Sequence, residues 1–365
     1  MKSEKLTAGD RIEIIDVFRF LCVLAVAVFH FALQALPASY ATFNLGLVGV
    51  QVFFVISGFV IAVTLERCAS IGEFAWRRFV RLYPAFLAAA TVTAAGTYLL
   101  GIPLVSPYSY FSNVSLAILF GSPAPYVDGV YWTLGVELKF YVCAALFWAV
   151  FGRNFWIGLL VVTALTSYFR PFALVVWTQP NHMPLFLCGV AMWLAFIEKK
   201  TAKAVILTIA SVILYQANNT DLLPYNQTMI WLPVAALALG VYAVPHLSFG
   251  PAALLGKMSY SMYLVHNNLG RCLLIKLGAF AWLPFPVKVT IVIVATYCIA
   301  ALLYYAVELP VAEWLRSLRA RIKAEAAPSA KPLASNRPMA FPPPLGDRRQ
   351  HQADFIGDGH EILSR

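Results

Sequence analysis

Charge is scarce in this sequence. Only 12% of its 365 residues are Asp, Glu, Lys or Arg, against about a quarter in a soluble domain. So few charges cannot clothe a globular surface in water. A hydrophobic content of 61% also excludes disorder over most of the length. Cysteine is sparse as well. Cys22, Cys68, Cys143, Cys188, Cys272 and Cys298 stand singly, without paired spacing. That excludes a disulfide frame or a cysteine metal site and leaves them as small packing residues. No internal repeat is apparent. The net charge of +10 does not call for nucleic acid, because membrane proteins concentrate Lys and Arg in their cytoplasmic loops.

What the sequence has in abundance is apolar runs of membrane-spanning length. They fall at about 17–36, 45–65, 83–102, 130–151, 155–177, 183–198, 203–218, 228–246, 257–279 and 287–309. The first is too long for a signal-peptide core and no cleavage site precedes Pro37, so it reads as an uncleaved helix. The expected fold is an all-α integral membrane bundle of about ten helices. Arg and Lys cluster at 2–11, 67–81, 153, 199–203, 257 and 316–323, whereas 37–44, 103–129, 178–182 and 219–227 hold neither. This asymmetry puts both termini in the cytoplasm. Residues 1–315 form the expected transmembrane domain. Residues 316–365, basic and rich in proline, are expected to be a disordered cytoplasmic tail.

Ionisable side chains inside spans cost several kcal/mol unless paired or solvated, so each is a functional candidate. Arg19 and His30 lie eleven residues apart. That spacing puts them on one helix face, roughly 16 Å apart along the axis. Asp16 can pair with Arg19. His30 is an acid–base candidate near neutral pH, or a simple hydrogen-bonding group. Gly49 to Phe59 carries Ser57 and Gly58 within an apolar run, which favours close helix packing. Arg77, Arg78 and Arg81 sit with three aromatics at the cytoplasmic membrane edge. Such arginines can fork onto a phosphate or anchor the helix among lipid headgroups. Tyr131 to Tyr141 opens the fourth span, with Trp132 beside the outer surface and Glu137 about 9 Å below it. Glu137 is either functional or the ion-pair partner of Arg170. Ser259, Tyr263 and His266 share one face of the ninth span, and Glu308-Leu-Pro310 closes the tenth, where a helix-end cap is the plain reading for Glu308.

Taken in order, these blocks resemble the acyltransferase-3 family of multi-pass membrane acyltransferases. The resemblance covers about residues 10–312: the Arg-x10-His spacing, the Gly49–Phe59 block, Phe-x-x-Arg-Arg-x-x-Arg-x-Tyr-Pro at 74–84, the Trp132–Tyr141 block, the Ser259–His266 block and the closing Glu-x-Pro. It departs from the family pattern at Gln51, where an acid is usual. Thr133 and Gly135 replace serines, and Leu138 and Lys139 replace a polar pair. The resemblance implies an enzyme that moves an acyl group, most often acetyl, from acyl-CoA to a hydroxyl of a cell-surface sugar or glycolipid. The expected setting is a bacterial inner membrane, with no permanently bound cofactor. It implies His30 and Glu137 as catalytic residues, with Arg19, Arg77, Arg78 and Arg81 on the CoA donor. Asp16, Trp132, Tyr263, His266 and Glu308 are expected to bind substrate or give structural support. His30 would act as general base or carry the acyl group itself. Buried charges and ten spans also suit a transporter or flippase of lipid-linked sugars, although no inverted repeat is visible.

Overall fold

The structure is a computed structural model that describes residues 12–32, 45–120, 122–221 and 224–326. It is helical, with no strand among the described residues. The helices are α1 (Glu13–Phe31), α2 (Leu45–Glu66), α3 (Ile71–Leu99), α4 (Pro107–Val114), α5 (Trp132–Phe151), α6 (Phe155–Phe169), α7 (Phe172–Thr178), α8 (Met183–Phe196), α9 (Thr201–Asn218), α10 (Pro224–Met229), α11 (Trp231–Ala243), α12 (Pro251–Lys257), α13 (Ser259–Leu277), α14 (Phe285–Leu303) and α15 (Leu309–Ala326). Among the described residues, six stretches are long and apolar enough to cross a membrane: Glu13–Phe31, Leu45–Glu66, Ile71–Leu99, Gly129–Phe169, Thr201–Asn218 and Phe285–Leu315. The expected spans at 183–198 and 228–246 fall on shorter apolar helices, Met183–Phe196 and Gln227–Ala243. The one at 257–279 falls on α13, whose Ser, Tyr, His, Asn and Arg content keeps it out of the apolar set.

Local chemistry sets the boundaries. Ser70 caps α3 by accepting from Glu73 N at 3.1 Å, while Glu73 Oε2 accepts from Ala69 N at 2.8 Å. The helix therefore starts at Ile71, well before the apolar run at 83, and carries the arginine block on its first turns. The expected single span 155–177 is broken. Arg170 adopts φ 48° and Pro171 follows it, so α6 stops at Phe169 and α7 folds back until Thr178 Oγ1 meets Thr166 Oγ1 at 3.1 Å. The stretch Gly129–Phe169 likewise turns at Gly152, φ 52°. There α5 and α6 form an antiparallel pair in which a Cβ on Gly158 would meet Phe147 at 2.3 Å. Between α14 and α15 the chain makes a π-helical turn, Tyr304–Glu308. Pro310 lies just beyond and cannot donate to the carbonyl four residues back, which favours a looser turn there.

The chain divides into two compact units, Met1–Ser317 and Leu318–Arg365. Helix α15 runs to Ala326, so the described start of the expected tail is helical; residues 327–365 lie outside the described residues. In the first unit the core centres on the crossing of α2 and α8. An added Cβ on Gly58 would lie 2.0 Å from the Phe186 carbonyl oxygen, and one on Gly189 would lie 2.0 Å from that of Val55. Backbone meets backbone here, and only glycine fits on either side. Phe186, Val55 and Ile56 around the contact are all buried.

Substituting Gly58→Ala should therefore destabilise the fold by about 1–3 kcal/mol or more, since neither backbone can yield cheaply. Thermal unfolding of the purified variant in detergent would show a lowered midpoint; an unchanged midpoint would mean that α2 and α8 do not cross this closely.

Candidate active site

Two cavities lie among α1, α2, α3, α5 and α13. The first has a volume of about 100 Å³ and is lined by Arg19, Ser57, Arg78, Arg81, Glu137, Tyr141, Ser259, Tyr260 and Tyr263, among Thr133 and apolar neighbours. The second has a volume of about 340 Å³ and is lined by His30, Trp132, Asn267 and Arg271, with Val50 and Tyr263 common to both. Arg19 and His30, three turns apart on α1, thus serve different cavities that share the Val50–Tyr263 wall.

The first cavity is a cluster of cations with counter-charges. Arg81 pairs with Glu308, whose side chain is only 2% exposed and also accepts from Ser261. The Arg81 guanidinium stands 5.6 Å from the centre of the Tyr260 ring. Glu308 is therefore not a helix-end cap: the π turn carries it inward as the partner of Arg81. Arg78 donates to Thr64 Oγ1 at 3.2 Å, and its buried Nε finds no hydrogen-bond partner among the described residues. Arg19 reaches Asp16 at 3.8 Å. Glu137 accepts from Ser57 Oγ and from the Tyr141 hydroxyl, each at 2.5 Å. It makes no pair with Arg170, which donates instead to Asn218 Oδ1 at 3.3 Å. Glu137 lines the arginine cavity and not that of His30. Arg77 does not line it; one helical turn joins it to Glu73 at 2.6 Å.

His30 lines the second cavity, and His266 packs behind it. The His30 and His266 rings lie 5.3 Å apart at 46°. His266 is fully buried and its Nδ1 sits 2.8 Å from the Tyr263 carbonyl. A carbonyl only accepts, so Nδ1 carries the proton and Nε2, which has no partner among the described residues, is bare. The ring is thereby fixed against His30. Tyr263 and Thr133 share a hydrogen bond of 3.0 Å. Thr133, where the family has serine, thus keeps a hydroxyl at this wall. Trp132 packs 5.4 Å from His182. Gln51, the other polar departure, is buried away from both cavities and donates to the Tyr215 hydroxyl.

Sequence reasoning passed over Asp128. It is fully buried just before the fifth helix and accepts from Asn267 Nδ2 at 2.9 Å, Asn268 N at 2.8 Å and Val130 N at 3.2 Å. It ties the N-terminal end of α5 to the middle of α13, next to His266. Burial pushes its carboxyl up to about 6, against the three donors that favour the ionised form. Its scarcity was the available signal, since Asp128 and Glu137 are the only acids between Arg81 and Glu198.

The chain matches the family model described as an acyltransferase domain over residues 12–305. It belongs to the acyltransferase-3 family. Comparison with curated proteins and with solved structures finds no match. Family and apolar helices together make this a membrane protein of an acyltransferase family.

Proposed function

We propose that this acyltransferase moves an acyl group, most simply acetyl, from acyl-CoA to a hydroxyl of a sugar in a cell-surface polysaccharide or glycolipid. The observation that carries the reading is the pair of cavities meeting at Val50 and Tyr263, one lined by arginines and the other by His30. CoA is a phosphorylated anion with a long neutral arm. Arg78 suits its phosphates, because Arg81 already has Glu308 and Arg19 has Asp16 as counter-ion, and Arg19 lies along the path of the arm. The pantetheine arm then runs toward the shared wall and brings the thioester to His30. His30 takes the proton from the acceptor hydroxyl, and the oxygen attacks the thioester carbonyl. A C–O bond forms, the C–S bond breaks, and the CoA thiolate leaves and regains the proton. His266 holds the His30 ring in place. Glu137, held by Ser57 and Tyr141, balances the cation cluster on the donor side.

The same reading places ten spans in a bacterial inner membrane, with both termini and the arginine cavity on the cytoplasmic side and the histidine cavity open outward. Residues 316–365 form a cytoplasmic tail. The positive-inside asymmetry supports this arrangement. Reporter fusions after residues 72 and 200 should both read cytoplasmic and one near 115 external; an external signal at 200 would overturn the ten-span arrangement.

The decisive test of function is His30→Ala in purified, correctly inserted protein. Transfer from acetyl-CoA should fall by about 10²–10⁴-fold, and turnover near wild type would remove His30 from the chemistry. Arg78→Lys keeps the charge that sets topology but loses the fork. It should raise the apparent KM for acyl-CoA by about tenfold or more, without a matching effect on the acceptor. An unchanged donor titration would return Arg78 to the role of headgroup anchor.

A further inference from the structure

We propose that the acceptor carries an anionic group, a carboxylate or a phosphate on the sugar, and that Arg271 reads it. The inference rests on the reading of the histidine cavity as the acceptor side.

Arg271 lines that cavity together with His30, Trp132 and Asn267. It is exposed, and it makes no hydrogen bond or ion pair among the described residues. A carboxylate that acts on it is Asp128, which makes no hydrogen bond with it and accepts instead from Asn267 Nδ2 and Val130 N at Oδ1 and from Asn268 N at Oδ2. Residues 33–44, which join α1 to α2, contain no Asp or Glu to supply another. A guanidinium that faces a cavity and makes no hydrogen bond to the carboxylate near it is arranged for a ligand's anion, which it can grip by a charge-assisted fork.

Asn267 supplies an independent pointer. It is only 5% exposed, its amide nitrogen is fixed on Asp128, and its Oδ1 has no partner among the described residues. A buried amide oxygen left open costs free energy unless a ligand donates to it. A sugar hydroxyl is such a donor. Trp132, on the same wall, offers the flat apolar face against which a sugar ring packs. An aromatic plate, an open amide oxygen, a histidine and an unpaired arginine together describe a site for an acidic sugar rather than a neutral one. Lys276 and Lys288 follow toward the same end of the α13–α14 pair, against the trend that keeps cations off the outer loops, and add a positive field there.

The test is footprinting of His30 with diethyl pyrocarbonate, read by peptide mass spectrometry on the full-length protein in detergent micelles. Excess glucose, glucuronate or glucose 1-phosphate is added in parallel, and acetyl-CoA binding is titrated on the same samples. Glucuronate or glucose 1-phosphate should slow modification of His30, and glucose should not. In Arg271→Gln that protection should weaken by about tenfold or more, and Arg271→Lys should keep part of it. Protection by glucuronate alone assigns the carboxylate, and protection by glucose 1-phosphate alone assigns the phosphate. Unaltered acetyl-CoA affinity of Arg271→Gln establishes that the variant is folded; if it is not, the wild-type contrast between charged and neutral sugars decides. Equal protection by glucose, full protection persisting in folded Arg271→Gln, or no protection by any sugar would overturn the inference. So would equal protection by phosphatidylglycerol doped into the micelles, which would make Arg271 a headgroup contact. Protein that binds acetyl-CoA but shows no sugar protection loses this inference alone. Protein that is protected but does not bind acetyl-CoA loses the donor reading alone.

Discussion

Three guanidinium groups converge inside a bundle that is otherwise apolar, and most of the site follows from satisfying them. Arg19, Arg78 and Arg81 line one cavity, where Glu137 is the only acid, and Glu308 is bonded to Arg81 behind it. An unpaired charge in such a setting costs several kcal/mol. The chain meets that demand by drawing distant segments together: Arg81 on α3 and Glu308 in the π turn after α14 are 227 positions apart. Ser57 and Tyr141 bind Glu137 from α2 and α5, and Ser261 binds Glu308 from α13. With Asp16 beside Arg19, three carboxylates stand against the three guanidinium groups around this cavity.

Helix packing supplies the rigidity that these contacts need. Where α2 crosses α8 the backbones touch at Gly58 and Gly189, and where α12 meets α1 a Cβ on Gly256 would fall 1.9 Å from the Asp16 carbonyl oxygen. The second contact fixes the N-terminal end of α1 within one turn of Arg19. At the other end, the His30 and His266 rings pack together, and Asp128 ties α13 to the start of α5. The helix that carries both Arg19 and His30 is therefore held at each end, so the separation between the two groups is set by a straight rod of fixed rise.

Much of this was legible in the sequence, for reasons that differ from element to element. Apolar runs gave the helical membrane class, because hydrocarbon tolerates only chains that satisfy their own backbone. The ordered blocks around His30, Arg78, Glu137, His266 and Glu308 gave the family, because polar residues in apolar runs are few and stand out. Spacing along one helix is readable, so Asp16–Arg19 and the shared face of Tyr263 and His266 could be anticipated. Partners across helices are not. Nothing in the one-dimensional order tells that Glu308 meets Arg81 rather than capping its own helix, or that Arg170 goes to Asn218 and leaves Glu137 to Ser57 and Tyr141. Asp128 escaped because it precedes its helix, where an acid looks like an ordinary loop residue. The break at Arg170–Pro171 was written in the sequence but was outweighed there by the apolar residues on either side.

The π turn at Tyr304–Glu308 has a consequence for how this chain tolerates changes in length. A π turn spends more residues on one revolution than an α turn does. Losing one residue there would let the segment relax to regular α-helix with its revolution still completed, so the later positions would stay close to their present places. In most loops of a membrane protein a one-residue deletion is absorbed by slack. Here the slack is the extra residue that the turn already contains. The segment is a vernier between α14 and the arginine cavity, able to give up one residue without displacing the helix that follows.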